Sequence, residues 1–330
     1  MAHTAEQHQS GTETAPGTGS LQGPDVRVWL NGRIVTADEA RLPHLTHAFH
    51  YGLAAFEGIR SYQQRPGQGA IFRLREHIKR LLDSAHIATI DAGLRFTLDE
   101  LCSACVETLK ANRLDAAYLR PVVYIGEGAM GIGARDNPIH VMIAAWKWGA
   151  YLGEEGLQRG IKAKISAFQR PGHATVMSKA KINGQYVNSI MAKREAMACG
   201  ADEAILVNEQ GYIAEASGEN LFMVQQGRLV TPPLGMNILA GITRATILQV
   251  ARDLGVETVE RMFARDELYC AEEVFLTGTA AEVTPVREVD GRRIGAGSRG
   301  PLTEQLQRRY FETVLGREAR YASWLTPYSI

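Results

Sequence analysis

Lys181 lies in the run Ser178-Lys179-Ala180-Lys181-Ile182-Asn183-Gly184-Gln185-Tyr186, and a later run, Glu215-Ala216-Ser217-Gly218-Glu219-Asn220-Leu221-Phe222, offers carboxylates beside a tight turn. Further on, Gly241-Ile242-Thr243-Arg244 opens a stretch with helical spacing through Ile247, Leu248, Ala251 and Leu254, stopped by Gly255. The start of such a helix leaves free N–H groups at Ile242 and Thr243. A lysine amine able to form a Schiff base, an acid to keep a pyridine nitrogen protonated, and a helix N-terminus to attract phosphate are the parts of a pyridoxal phosphate site. A lysine with its solution pKa of about 10.4 is nearly all ammonium at neutral pH, so the site must depress it by burial and an electron-poor partner. Thr277-Gly278-Thr279-Ala280-Ala281-Glu282 adds a second loop with hydroxyls and backbone donors.

These parts need a scaffold. The chain has 330 residues and is 45% hydrophobic, enough for a sizeable core and for two domains more readily than one. Lys plus Arg and Asp plus Glu balance at 36 each, so no net field draws the protein to nucleic acid or an anionic membrane. The expected partners are small molecules or a second copy. Four scattered cysteines make no disulfide framework and fit a reducing, cytoplasmic setting. No apolar run reaches the ~18 to 20 residues needed to span a bilayer, and no signal peptide core is present. Residues 1–24, rich in Gly, Thr, Ser, Gln and Pro, read as a disordered tail, since they have little apolar surface with which to offset ordering entropy.

Beyond the tail, residues 26–30 and 33–35 flank Asn31-Gly32 as a hairpin. Helical spacing covers residues 72–90, and Thr97-Leu98-Asp99-Glu100 is a capping box that starts a second helix over residues 97–110. Strands are expected over residues 118–125, 140–146, 204–207, 221–224 and 274–276, with a helix over 186–199 ended by Gly200 and a hairpin turn at Gly227. The glycine-rich stretch 148–156 divides a smaller N-terminal α/β domain, residues 25–147, from a larger C-terminal domain, residues 157–330, with a ligand cleft at the junction.

Three patterns invite other readings. Gly126-Glu127-Gly128-Ala129-Met130-Gly131 matches the G-x-G-x-x-G dinucleotide fingerprint, but a Rossmann loop must open a helix and Gly133, Asn137 and Pro138 follow, so a mobile loop is expected. His44, His47 and His50 do not share one face of a helix or strand, and no metal site is assigned. Cys102 and Cys105 form C-x-x-C without a second pair inside the second helix, which points to burial.

His50-Tyr51-Gly52, Phe56-Glu57-Gly58-Ile59-Arg60, Arg120-Pro121, the Lys181 run, the run from Glu215 to Phe222, Gly241 to Arg244 and Gly278 to Glu282 together resemble the branched-chain aminotransferase family, in order and spacing over about 230 residues. The resemblance implies a mixed α+β, two-domain enzyme of pyridoxal phosphate fold type IV, a homodimer or higher homo-oligomer, passing the amino group of leucine, isoleucine or valine to 2-oxoglutarate by a ping-pong route. It makes Lys181 the Schiff-base lysine and proton shuttle and leaves Lys179 a solvated loop charge. It places Tyr186 at the cofactor's phenolic oxygen, Glu215 at the pyridine nitrogen with Glu219 as the alternative, and Arg80, Ile242, Thr243 and Thr279 at the phosphate, with Gly218 and Leu239 nearby. On the substrate side it implies Tyr51, Phe56, Gly58, Trp148, Tyr151 and Tyr186 as pocket lining. Tyr118, Thr279 and Ala280 would hold the α-carboxylate, and Arg120 the distal one unless it forms a structural ion pair. Met130 and Ile132 would reach a neighbouring subunit. D-amino acid and (R)-amine transaminases share this scaffold and form the alternative. Ile182 and Asn183 replace the small residues often found after the lysine.

Overall fold

The protein is described by a computed structural model that covers residues 25–149 and 151–330. The expected tail therefore lies outside the described residues.

Two sheets organise the chain. The first is eight-stranded and antiparallel, running from Leu325–Ser329 through Gln68–Phe72, Ile59–Arg65, Ala117–Ile125, Ile139–Trp146 and Arg27–Leu30 to Arg33–Thr36, while Ala54–Phe56 pairs with Ala117–Ile125. Its opening hairpin turns at Asn31 and Gly32, both at positive φ (50° and 100°), as a type I′ turn requires. Helices Leu74–Ile87 and Leu98–Ala111 cover this sheet, and Ile78, Leu81, Leu101 and Leu109 are fully buried against it. Each such side chain contributes about 1.5–3 kcal/mol of burial free energy. The capping box is present: Thr97 Oγ1 accepts from Glu100 N and the Glu100 carboxylate accepts from Thr97 N. Cys105 is buried in that helix, where burial pushes its thiol well above the usual range.

The second sheet is nine-stranded and mixed, in the order Ile213–Ala216, Glu203–Val207, Ile161–Ile165, Glu282–Val289, Glu273–Gly278, Asn220–Gln225, Arg228–Thr231 and Thr258–Glu260, with Arg292–Arg293 beside Glu282–Val289. Tyr186–Ala198, Ile242–Asp253 and Pro301–Val314 are its longer helices, beside the short Glu154–Arg159 and Arg265–Tyr269. Phe222 and Phe275, on adjacent strands, stack at 5.1 Å in its core.

Several elements were not expected. The strands at 54–56, 59–65, 68–72 and 213–216 and the helix Pro301–Val314 carry weak local patterns, and long-range pairing decides them. The last strand joins the two ends of the chain. Leu325–Ser329 pairs antiparallel with Gln68–Phe72, so the 157–330 unit gives its final strand back to the first sheet. The 126–131 glycines open no helix; Asn137 ties this loop by accepting from Ala129 N at 2.9 Å and donating to Ala129 O at 3.1 Å.

Candidate active site

Lys181 stands where the chain crosses between the sheets. Its carbonyl accepts from Phe56 N (3.1 Å), its own N–H donates to Ser84 Oγ (3.0 Å), and Ile182 bridges to Ala55. The crossing is tight: Gly184 N donates to Gly52 O at 3.0 Å, and a Cβ on Gly52, already at φ 71°, would lie 3.0 Å from Gly184 Cα. Only glycine meets both demands cheaply. The backbone around the lysine is thus fixed by both layers, and its amine projects into a cavity of about 190 Å³. There Nζ hydrogen-bonds the Tyr186 hydroxyl and lies 4.8 Å from the Phe56 ring centroid.

Lys179, expected to be solvated, is not. Its amine donates to the carbonyls of Leu234 and Ile238, and partial burial lowers its pKa. It pins the 234–238 loop and does not line the cavity.

Glu215 comes from the strand Ile213–Ala216, where a register shift between Ile213 and Glu215 re-aims the side chain. It is 6% exposed. Arg170 Nη2 stands 3.1 Å from Oε1, and Oε2 accepts from Asn220 Nδ2 (3.0 Å) and Leu239 N (3.1 Å). Burial raises its pKa, and Arg170, the Leu239 N–H and Lys181 oppose the rise. Arg170 was not legible in the sequence, because nothing local distinguishes it from a surface arginine. Asn220 was within reach, five residues after the acid and inside the same run.

Arg80 gathers at the other end. Nε and Nη2 grip Glu57 at 2.6 and 2.9 Å, and Nη1 donates to Ala240 O at 2.8 Å, immediately before the Ile242–Asp253 helix. The N-cap of that helix, Gly241, provides no side-chain acceptor, so its first N–H groups are free to take an anion. Glu57 is completely buried and also accepts from His77 Nδ1 at 2.7 Å; Arg80 and His77 hold its carboxyl far below the usual range, overcoming burial. Glu57 belongs to the Phe56 to Arg60 run, but its function as a bracket for Arg80 depends on a contact 23 residues away.

The remaining wall is aromatic. Gly58 N-terminal to its strand allows Tyr118 to approach so closely that a Cβ there would meet the hydroxyl at 1.8 Å. Tyr118 packs edge-on to Trp148, which meets Tyr151 in the same way. Arg120 lies 4.8 Å from the Phe56 centroid and 5.8 Å from that of Trp146, has no salt bridge among the described residues, and leaves its buried Nε without a partner. Its Nη2 donates to the Tyr118 hydroxyl at 3.4 Å. Gly218, Thr243, Thr279 and Ala280 complete the expected lining. Tyr51, Met130 and Ile132 do not line this chain's cavity. Tyr51 Oη donates to Met130 O at 3.2 Å, and the three form an exposed apolar surface with Phe49, Ile132 being 92% exposed. His47 Nε2 bonds Gly131 O and His50 Nε2 bonds His44 O, so these histidines hold the loop.

The cavity fits pyridoxal phosphate on its own chemistry. Ser178 Oγ and Thr277 Oγ1, both buried in its wall, lack hydrogen-bond partners, a costly state that a polar ligand would relieve. An amine, an acid and an arginine beside a free helix N-terminus surround the same space.

The comparisons agree. The family model for amino-transferase class IV matches residues 54–289. The chain belongs to the class IV aminotransferase family. It is 48% identical to the branched-chain-amino-acid aminotransferase of Pseudomonas aeruginosa, covering 93% of this chain and 99% of that protein, and 42% identical to that of Escherichia coli, covering 90% and 96%. The crystal structure of the Escherichia coli branched-chain amino acid aminotransferase superposes with a TM-score of 0.88 at 41% identity, over 91% of this chain and 98% of that one. The Thermobaculum terrenum enzyme in its PLP form superposes with a TM-score of 0.86 at 35% identity, over 93% and 99%.

Proposed function

We propose that this chain is a branched-chain-amino-acid aminotransferase that uses pyridoxal 5′-phosphate to transfer the amino group of leucine, isoleucine or valine to 2-oxoglutarate. The carrying observation is the placement of Lys181, Glu215 and the Arg80 helix terminus around one cavity whose other wall is aromatic. The relatives described above favour this over the D-amino acid or (R)-amine alternative.

When bound, the cofactor supplies an electron sink for the electron pair of the substrate's α C–H bond. Lys181 Nζ removes the proton from that carbon and returns one in the reverse half-reaction; its bond to Tyr186 Oη and contact with Phe56 restrict the swing of its long side chain. Glu215, its charge balanced in part by Arg170, would keep the ring nitrogen protonated. Arg80, Ile242, Thr243 and Thr279 would hold the phosphate, with Gly218 and Leu239 alongside. Phe56, Tyr118, Trp148 and Tyr151 receive an aliphatic side chain and exclude water, while Arg120 receives the distal carboxylate of glutamate. The α-carboxylate is assigned to Tyr118, Thr279 and Ala280.

Tyr51, Met130 and Ile132 support a homodimer: an exposed apolar group of this kind is where a second copy would bury surface and complete the partner's pocket. The four free cysteines fit a cytoplasmic location, and among the described residues no helix is long and apolar enough to cross a membrane. The domain division proposed is residues 25–147 with the final strand, against 157–324.

Absorption spectroscopy tests the assignment. L-leucine is expected to bleach the visible band of the bound cofactor and 2-oxoglutarate to restore it. Bleaching by D-alanine or an (R)-amine alone would transfer the assignment to the alternative. Gly58→Ala tests the aromatic wall: its methyl displaces the Tyr118 hydroxyl. Overpacking costs about 1–3 kcal/mol, and the displaced hydroxyl raises KM for leucine about tenfold with a smaller change in kcat. An unchanged KM would separate Tyr118 from the substrate.

A further inference from the structure

Glu219 is 5% exposed and lines the cavity, yet among the described residues its carboxylate accepts one hydrogen bond, from Gly218 N at 3.1 Å, and has no salt bridge. Its neighbours are better provided. Glu203, from the strand Glu203–Val207, takes Lys193 Nζ and Ser217 Oγ, both at 2.5 Å, and Ala204 N at 2.8 Å; Glu215 takes Arg170, Asn220 and Leu239. Salt bridges thus tie two of these three buried acids to one cation each, Arg170 to Glu215 and Lys193 to Glu203. On the same side Tyr151 is held neutral chiefly by burial, and Lys193 lies 5.4 Å from its ring centroid.

We propose that Glu219 works as a neutral carboxylic acid, a positioning group whose lack of charge keeps the cavity positive enough to admit carboxylate substrates, above all a doubly charged one. Burial and the Glu203 charge push its pKa up to about 8, in the same direction as the geometry. The substrate half of this inference rests on the aminotransferase reading; the charge state does not.

The sign follows from linkage. A carboxyl that binds its proton more tightly folded than unfolded loses stability as pH rises from the ordinary glutamate range towards 8. Melts of the holoenzyme are therefore expected to show Glu219→Gln gaining over wild type between pH 5 and pH 9, with Glu219→Met, also neutral, giving the same trend should the amide fail to fold. A difference that stays flat or shrinks with rising pH overturns the proposal, whatever the enzyme's substrates. In kinetics, the ratio of KM for 2-oxoglutarate to KM for leucine should rise about tenfold between pH 7 and pH 9.5 in wild type, the effect of one charge at close range, and stay level in Glu219→Gln. An equal rise in both proteins overturns the positioning role. Failure to use 2-oxoglutarate at any pH would overturn the aminotransferase reading, and the melts would still decide the charge state.

Discussion

Lys181→Met is expected to lower turnover of leucine by roughly 10⁴-fold or more, since it removes both a nucleophilic amine and a proton carrier worth 10²–10⁴ by itself. The effect should fall on kcat with little change in folding. Lys181 is half-buried, and the backbone contacts that hold its position, to Phe56 N and Ser84 Oγ, involve no atom of the removed amine. A melting temperature close to wild type alongside lost turnover is the expected pair of results. Partial recovery on adding a small primary amine would strengthen the assignment, because the cavity left by the side chain opens next to Tyr186. Retention of more than a hundredth of the activity would require another base, and Lys179, its amine engaged by Leu234 and Ile238, is poorly placed to be one.

The second large effect is expected at Glu57. Glu57→Gln removes the charge that pairs with Arg80 in a fully buried setting, leaving the guanidinium short of a counter-ion, and breaking one side of a buried pair costs roughly 3–5 kcal/mol. The loss should also reach the cofactor. An arginine no longer bracketed by two charge-assisted hydrogen bonds gives up about 1.5–3 kcal/mol of orientation, so affinity for pyridoxal phosphate is expected to fall roughly 10- to 100-fold. Equilibrium dialysis of the variant measures this directly, and an unchanged affinity would sever Glu57 from the phosphate site. His77 adds a pH dependence. Burial lowers its pKa and Arg80 and Lys181 assist, against Glu57, so the unfolded chain binds more protons than the folded one. Stability contributed there is present above the ordinary histidine pKa and lost as pH falls, and Glu57, whose carboxyl is held low, acts in the same direction at still lower pH. Glu219 acts oppositely, so wild-type stability is expected to decline on both sides of a maximum in the weakly acidic to neutral range.

The sequence by itself determined a great deal here, because the decisive signals are local. Asn31-Gly32 specifies its hairpin through positive φ, Thr97 and Glu100 cap each other three residues apart, and Gly241 opens a helix whose apolar face repeats at 3.6 residues. The same locality offered a lysine run, an acidic run and a helix N-terminus as the parts of a cofactor site, and the order of the surrounding runs led to the class IV aminotransferases, a resemblance that then chose among the residues. Tertiary structure decided what depends on distant partners. Arg170 meets Glu215 across 45 positions, Glu57 brackets Arg80 across 23, and Leu325–Ser329 returns more than 250 residues to complete the first sheet. None of these carries a local pattern, since an ion pair or an edge strand is defined by what the folded chain brings near it. Burial is equally invisible in one dimension. Lys179 reads as a loop charge until the fold brings two carbonyls to it, and Glu219 reads as a second candidate for the pyridine nitrogen until the fold gives Arg170 to Glu215 and Lys193 to Glu203. A residue's type follows from the sequence, but its charge state depends on desolvation and on every neighbour within a few ångströms, which only the packed structure fixes.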